Sequence, residues 1–413
     1  MSQPATDNSA AMAAGLFPPE FYDDPYPFYA QIRQSAPVMF LEPLNAWILT
    51  RFEDVYAAAT DEKFGVNYAD YQMNRMGPSV VAEPFFRSAQ HSMVCNDPPD
   101  HTRMRRVFAR GFTARRVREL PSFVEHFAHQ CLDEAAGNGR IDLVPDYARR
   151  VPLAVLSHIL GVPSADWTCM EEWVQNYSPV LEVFPMTPSQ LQLANEAALG
   201  LDDYFRRMVA LRRAEPAEDL VTEVLRANDS GADPLSDDEL TANLALLYFG
   251  GHDTQEKMFG NVINALDAHP DQLRHLYDDP FRAVEAMPEL MRYDTVGQFM
   301  GRCPTEDMTF GQVTLRKGQT IMLCFGAANR DPEVFGDPDR IDFTREAKPA
   351  PNISFGGGRH RCIGANLAMQ NLPIMLRVLL QRCPDLRVDH DAAQRHMSMA
   401  TRGFDALPIE FAV

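Results

Sequence analysis

The sequence predicts a mainly α-helical fold with small β-sheets toward its N- and C-terminal parts. Helical periodicity dominates from about residue 100 to 293. Strand-like text falls near the two ends of the chain and is scarce in between. Helices and strands do not alternate, so a parallel α/β sheet is excluded.

Residues 1–15 read as a disordered tail and 16–413 as one domain, since no linker or repeat divides the chain. Residues 24–37 read as a helix entered through Pro25, 38–49 as two strands around a turn, and 51–61 as a second helix. Residues 62–96 show no clear period and read as irregular. The best-marked helix begins after Ser236. Ser236 is a good N-cap, Glu239 completes a capping box, and Leu235 with Leu240 forms a hydrophobic staple. Its stop signal is His269-Pro270. About thirty residues at 1.5 Å each make it roughly 45 Å long. Strand text returns at 308–325, residues 326–360 carry no pattern, and 364–382 form a last helix. Pro288 and Pro373 fall inside helical text, with no functional reason visible in the sequence.

A chain of 413 residues that is 46% hydrophobic can bury a large core. Its net charge of −19 argues against nucleic acid or an anionic membrane as partner. No apolar run approaches the roughly 20 residues of a membrane span, and no secretory leader is visible. Seven cysteines without a CxxC pair do not make a disulfide framework, so a reduced, cytoplasmic protein is expected.

Function turns on "SFGGGRHRCIGANLA" (354–368). It lacks the spacing of a phosphate loop. No second cysteine is near, which excludes a structural zinc site or a redox dithiol. A thiolate ligand to a large flat cofactor is another possibility. Glycines would let the backbone approach such a group, basic neighbours would pair with its anionic substituents, and the following helix N-terminus would favour thiolate. A second feature is "YFGGHDTQEK" (248–257), inside the central helix. Two glycines there weaken the helix by about 1 kcal/mol each. They mark either a kinked core helix or one opened to admit something beside its backbone.

"FGGGRHRCIG" (355–364) resembles the haem-binding signature of the cytochrome P450 superfamily. "ELMR" (289–292) is similar to that family's Glu-x-x-Arg, "GGHDTQ" (250–255) to its oxygen-activating stretch, and "NDPPDHTRMRRVF" (96–108) to its haem-propionate segment. Order and spacing match from about residue 20 onward. The resemblance implies a soluble bacterial-type haem-thiolate monooxygenase with haem b. Cys362 is then the iron ligand, in a loop with Phe355, Gly356 and Gly364. His360, His101, Arg105 and Arg302 are implied propionate contacts. Arg359 and Arg361 are either further contacts or solvated. Glu289, Arg292 and Arg340 are the implied structural triad. Asp253 and Thr254 are the implied acid–alcohol pair, with Gly250 and Gly251 leaving room for dioxygen. Gly250 and Gln255 depart from the family's usual alanine and threonine.

The chain has no flavin or iron–sulfur motif, so electrons are expected from a ferredoxin and its reductase. Seven arginines crowd residues 103–118 of an acidic protein; Arg103, Arg106 and Arg110 share one helix face, either a solvated face or a docking patch. By resemblance, substrate would touch Phe85, Phe86, Leu247, Tyr248, Val296, Phe299 and Thr401, with Gln298 and His91 as polar anchors. That implies a hydrophobic small molecule, in natural-product biosynthesis or catabolism, and a monomer. An atypical oxidation on the same fold and a haem sensor remain alternatives.

Overall fold

The computed structural model describes residues 17–111, 114–135, 137–345 and 352–412. The predicted tail and part of 326–360 lie outside them, as do the side chains of 111–119.

The central helix spans Asp237–Asp267 without a break. Its capping box forms as expected: Glu239 N–H donates to Ser236 Oγ (3.3 Å) and Ser236 N–H to Glu239 Oε2 (2.8 Å). Asp237, Asp238 and Glu239 oppose the positive end of the helix dipole. Most of the helix is buried on all sides, as a core-crossing helix must be. Around it pack the helices Arg150–Leu160, Trp167–Tyr177, Pro188–Ala214 and Ala365–Arg382, which share one continuous apolar core with it. Pro288 and Pro373 both lie inside helices that stay unbroken.

The largest sheet has five strands in the order Val38–Leu41, Ala46–Leu49, Thr320–Cys324, Phe299–Pro304, Phe64–Gly65. The Ala46–Leu49/Thr320–Cys324 pair is parallel; the others are antiparallel. Strand Phe299–Pro304 was not legible in the sequence, because its alternation is broken by Gly301 and Arg302. A three-stranded sheet joins Arg140–Asp142 to Pro408–Glu410 and Arg387–Val388. Its strands are two or three residues long, too short for a periodic signal.

The 62–96 segment departs from expectation. It carries helices Tyr68–Met76 and Pro84–Ala89. Their apolar residues serve a separate small core with Val180 and Met186, so no single stripe runs through the segment. Residues Phe325–Asn329 add a one-turn helix that leads toward the cysteine loop.

Candidate active site

Cys362 sits between a short turn, Gly358–His360, and the helix Ala365–Arg382 capped by Gly364. Its N–H donates to Phe355 O (2.9 Å), closing the loop. Burial pushes the thiol up; the backbone N–H groups of Gly364 and Ala365 and the charges of Arg105 and Arg361 oppose that. These are the donors a thiolate needs. Gly356 and Gly358 adopt φ of 68° and 60°, where a side chain is strained. A Cβ on Gly358 would also lie 2.7 Å from Ala59 O. The glycines thus let the loop press onto the end of helix Phe52–Thr60, on protein rather than only toward a cofactor.

Beside the loop is a cationic cluster short of anions. His101 is 2% exposed, yet neither ring nitrogen has a hydrogen-bond partner. Burial, then His360, Arg105 and Arg359, push its pKa down to about 4. Its ring centroid lies 4.4 Å from that of His360. Arg302 is 5% exposed, and its guanidinium donates to its neighbour's carbonyl, Gly301 O (2.8 Å); burial lowers its pKa to about 10. Arg359 has a buried amino group without a partner. The nearby acid is Asp97, which accepts from Val66 N–H (3.0 Å) and lies 3.5 Å from His360 Nε2. Burying unpaired cations costs several kcal/mol, so this donor set fits a ligand with two carboxylates. Among the described residues no three His, Cys, Asp or Glu side chains group to hold a lone metal ion; a single thiolate suits iron carried in its own macrocycle. The residues therefore fit a haem. Arg105 also donates to Arg361 O (2.6 Å) and steadies the backbone one residue before the sulfur.

A buried network supports the loop from behind. Arg292 is 1% exposed and donates to both oxygens of Glu289 (2.8 Å each). Its other donors reach the carbonyls of Asn329, Pro338 and Arg340. Asn329 in turn accepts from Ile353 N–H and donates to Ser354 Oγ, at the start of the cysteine loop. The third side chain on Glu289 is Arg345, at 3.1 Å. The expected partner Arg340 is exposed and offers its backbone carbonyl alone. Four residues of irregular chain separate the two arginines, and spacing could not choose between them.

Half-buried positions interrupt the otherwise buried central helix at Leu246, Leu247, Gly250, Gly251 and Thr254. That spacing marks one face. Thr254 Oγ1 donates to Gly250 O (2.6 Å) and Gln255 Nε2 to Gly251 O (2.7 Å); such back-bonding bends helices without breaking them. Asn371 of the cysteine helix donates to Gln255 Oε1 (3.2 Å), so Gln255 ties the two helices together. A Cβ on Gly250 would meet open space. One on Gly251 would lie 3.0 Å from Leu156, so Gly251 serves helix packing rather than room for a ligand. Asp253 is held by Lys257 Nζ (2.7 and 2.8 Å) and by Ser178 Oγ (3.3 Å). Burial favours its neutral form, but Lys257 outweighs that and holds the carboxyl below its usual range.

The expected pocket wall is only partly assembled. Leu247 lies on the half-buried face of the central helix. Tyr248 points the other way, fully buried, with its hydroxyl 2.8 Å from Ser157 Oγ. Phe85 is also fully buried, and Phe86 stacks on Tyr68 in the small core. Gln298 is spent on Tyr29 (3.0 Å) and Thr295 O (2.6 Å), so it is no free anchor. Phe299 packs edge-on against Tyr29, in the core shared with the N-terminal helices. Val296 and Thr401 are nearly buried at the joint where Gly297 bridges Thr401. His91 is half-buried and its carbonyl accepts from Asn243. Sequence reasoning missed Lys257, Ser178, Asp97 and Arg345. Lys257 had a signal: it is one of four lysines in the chain, one helical turn beyond Asp253.

The cytochrome P450 family model matches residues 55–404. The chain belongs to the cytochrome P450 family. It is 34% identical over 402 residues to cytochrome P450 107B1 of Saccharopolyspora erythraea, covering 95% of this chain and 96% of that one. It is 33% identical over 417 residues to the cytochrome P450 monooxygenase PikC of Streptomyces venezuelae, covering 99% and 96%. P450BioI, solved in complex with a hexadec-9Z-enoic acid-ligated acyl carrier protein, superimposes with a TM-score of 0.87 at 29% identity over 95% of this chain and all of that one. The P450 is thus an oxidoreductase of the monooxygenase type, in a family that works with haem and thiolate. Among the described residues no helix is long and apolar enough to cross a membrane.

Proposed function

We propose that this P450 oxidises a hydrophobic small molecule, by hydroxylation in the first instance, with dioxygen and electrons from a ferredoxin and its reductase. Cys362 is the thiolate ligand of haem b, which supplies dioxygen activation when bound. His101, Arg302, His360 and Arg359 receive its carboxylates. The observation that carries this reading is His101: a buried imidazole with two unpartnered nitrogens, its ring centroid 4.4 Å from that of His360, two residues before the cysteine.

Thr254 offers its hydroxyl toward the cavity, where it holds water and dioxygen by hydrogen bonds. Asp253 passes protons from solvent toward that hydroxyl. Leu246, Leu247 and Gly250 present an apolar face to substrate, as ligand cavities usually do. Gly297 widens the opposite wall, since a Cβ there would meet nothing. Arg106 and Arg110 are exposed on the helix Asp100–Gly111, and Arg361 is exposed next to the cysteine. This is the surface proposed for an acidic ferredoxin. Arg103 is not part of it: it is committed to Glu239, Asp100 (3.1 Å) and Asp233 (3.5 Å) at the start of the central helix.

A spin-shift screen against a library of apolar compounds, followed by product analysis with reductant and dioxygen against peroxide alone, tests the reading. Turnover that needs reductant supports it. Product from peroxide alone would place the enzyme among atypical haem oxidases, and no shift with any compound would favour a sensor.

A further inference from the structure

Two neighbouring carbonyls of the central helix each receive a side chain from one turn ahead. Gly250 O accepts from Thr254 Oγ1 (2.6 Å) and Gly251 O from Gln255 Nε2 (2.7 Å). A donor inserted into the helix ladder in this way draws the carbonyl aside and opens the turn. The first bond belongs to the proposed alcohol and the second to its neighbour in sequence. Gly251 has no side chain of its own to fix it. Leu156 presses on it from helix Arg150–Leu160, where a Cβ on Gly251 would lie 3.0 Å from that side chain, and Gln255 holds its carbonyl.

The Gln255 amide is oriented from the cysteine helix. A carbonyl can only accept, so the atom facing Gly251 O is the amide nitrogen and the amide oxygen faces away. There Asn371 Nδ2 donates to Gln255 Oε1 (3.2 Å). Both amides are buried, Gln255 3% and Asn371 1% exposed, and Asn371 Oδ1 has no partner. A buried amide with an unmet acceptor is a burden on stability, and an apolar side chain would fill the place at less cost. The helix crossing does not depend on it. One turn further along both helices Tyr147 joins them: its hydroxyl donates to Met375 O (2.8 Å) and its ring centroid lies 5.4 Å from that of Phe259. What the amide pair adds to that crossing is the orientation of Gln255.

We propose that Gln255, oriented by Asn371, is a positioning residue: it fixes the Gly251 carbonyl and so sets how far the turn from Gly250 to Thr254 stands open where Thr254 presents its hydroxyl. This rests on Thr254 being the alcohol that holds dioxygen. Thr254 touches the reacting molecule, and Gln255 acts through the backbone of the turn. Its reference point, Asn371, lies on the helix that follows Cys362, so sulfur and alcohol share one frame.

The test uses the haem-loaded enzyme with carbon monoxide and dioxygen as probes. The infrared stretch of carbon monoxide on the reduced protein reads the surroundings of the Thr254 turn, and peroxide released per reductant consumed reads its handling of dioxygen. Thr254→Ala is the reference and moves both. Gln255→Met and Asn371→Leu each shift or split the carbon monoxide band and raise peroxide release by about two- to tenfold, the factor that one net hydrogen bond is worth. These two variants cover one another if either fails to fold. The double variant Gln255→Met, Asn371→Leu removes both polar partners and melts no lower than the parent, yet keeps the altered band and the added peroxide. Tyr147→Phe, which loses the bond to Met375 O, melts lower and leaves band and peroxide as in the parent. A band shift in Tyr147→Phe equal to that in Gln255→Met would assign the effect to helix packing and overturn the proposal. If Thr254→Ala moves neither readout, the alcohol assignment fails and the positioning role with it. If Thr254→Ala moves both while Gln255→Met and Asn371→Leu move neither, the positioning role is overturned and the alcohol assignment stands.

Discussion

The two sides of the proposed haem site are built in different ways. The cysteine side is held by directed bonds. Cys362 is tied to Phe355, Arg361 to Arg105, Ser354 and Ile353 to Asn329, Asn329 to Arg292, and Arg292 to Glu289. The opposite side is a face of one helix, with walls contributed by segments far apart in sequence. Thr254, Gln255 and the Asp253–Lys257 pair make polar contacts there. The first side must present one sulfur in one place. The second must admit a molecule and change shape. Polar networks suit the former because each lost bond in a buried site is costly; apolar packing suits the latter because repacking costs less.

The largest effects should come from breaking the cysteine side. Cys362→Ala is expected to remove monooxygenase activity and the thiolate spectral signature together. Arg292→Ala should cost about 3–5 kcal/mol, because Glu289 is left charged and buried, and haem loading should fall with it in denaturant titrations of the haem-loaded protein. Arg345→Ala, losing one charge-assisted bond to Glu289, should cost about 1.5–3 kcal/mol. Arg340→Ala should stay within about 0.5 kcal/mol, as an exposed side chain without a role in the network. Equal costs for Arg340 and Arg345 would break the assignment of Arg345 as third partner.

Effects on the opposite side should be smaller in stability and larger in chemistry. Thr254→Ala should leave the melting temperature within a few degrees while more reductant is lost as peroxide. The two glycines should separate cleanly. Gly250→Ala faces open space and gains helix propensity, so it should stabilise by up to about 1 kcal/mol. Gly251→Ala meets Leu156 at 3.0 Å and should destabilise by about 1–3 kcal/mol. The Asp253–Lys257 pair gives a pH signature. The carboxyl's pKa is depressed in the folded state, so its contribution is present above the ordinary carboxylate range and lost as pH falls through the folded value. Thermal melts from pH 6 to pH 3 should therefore fall more steeply for the parent than for the double variant Asp253→Asn, Lys257→Met.

The same contrast governs what could be read from the sequence. The cysteine loop, the Glu-x-x-Arg pair and the central helix with its capping box are local, each within ten residues or one helical pattern, and were legible. Arg345 was not, because an irregular stretch with two plausible arginines hides which one turns inward. The pocket wall was the least legible. Tyr248, Phe85 and Gln298 are the right kinds of residue in the right segments, yet each turns into the protein. Which way a side chain faces depends on helix phase and on neighbours such as Ser157 and Tyr29, hundreds of residues away in some cases. Strand Phe299–Pro304 was missed because Gly301 and Arg302, although paired with Met322 and Ile321, interrupt its apolar pattern.

The central claim is that Cys362, as thiolate, holds a haem. The most direct measurement is the carbon monoxide difference spectrum of the reduced protein, recorded beside Cys362→His. Thiolate ligation predicts the red-shifted Soret band of a haem-thiolate protein in the parent and its replacement by a histidine-type band in the variant. A histidine-type band in the parent, or a thiolate-type band that survives the substitution, would contradict it.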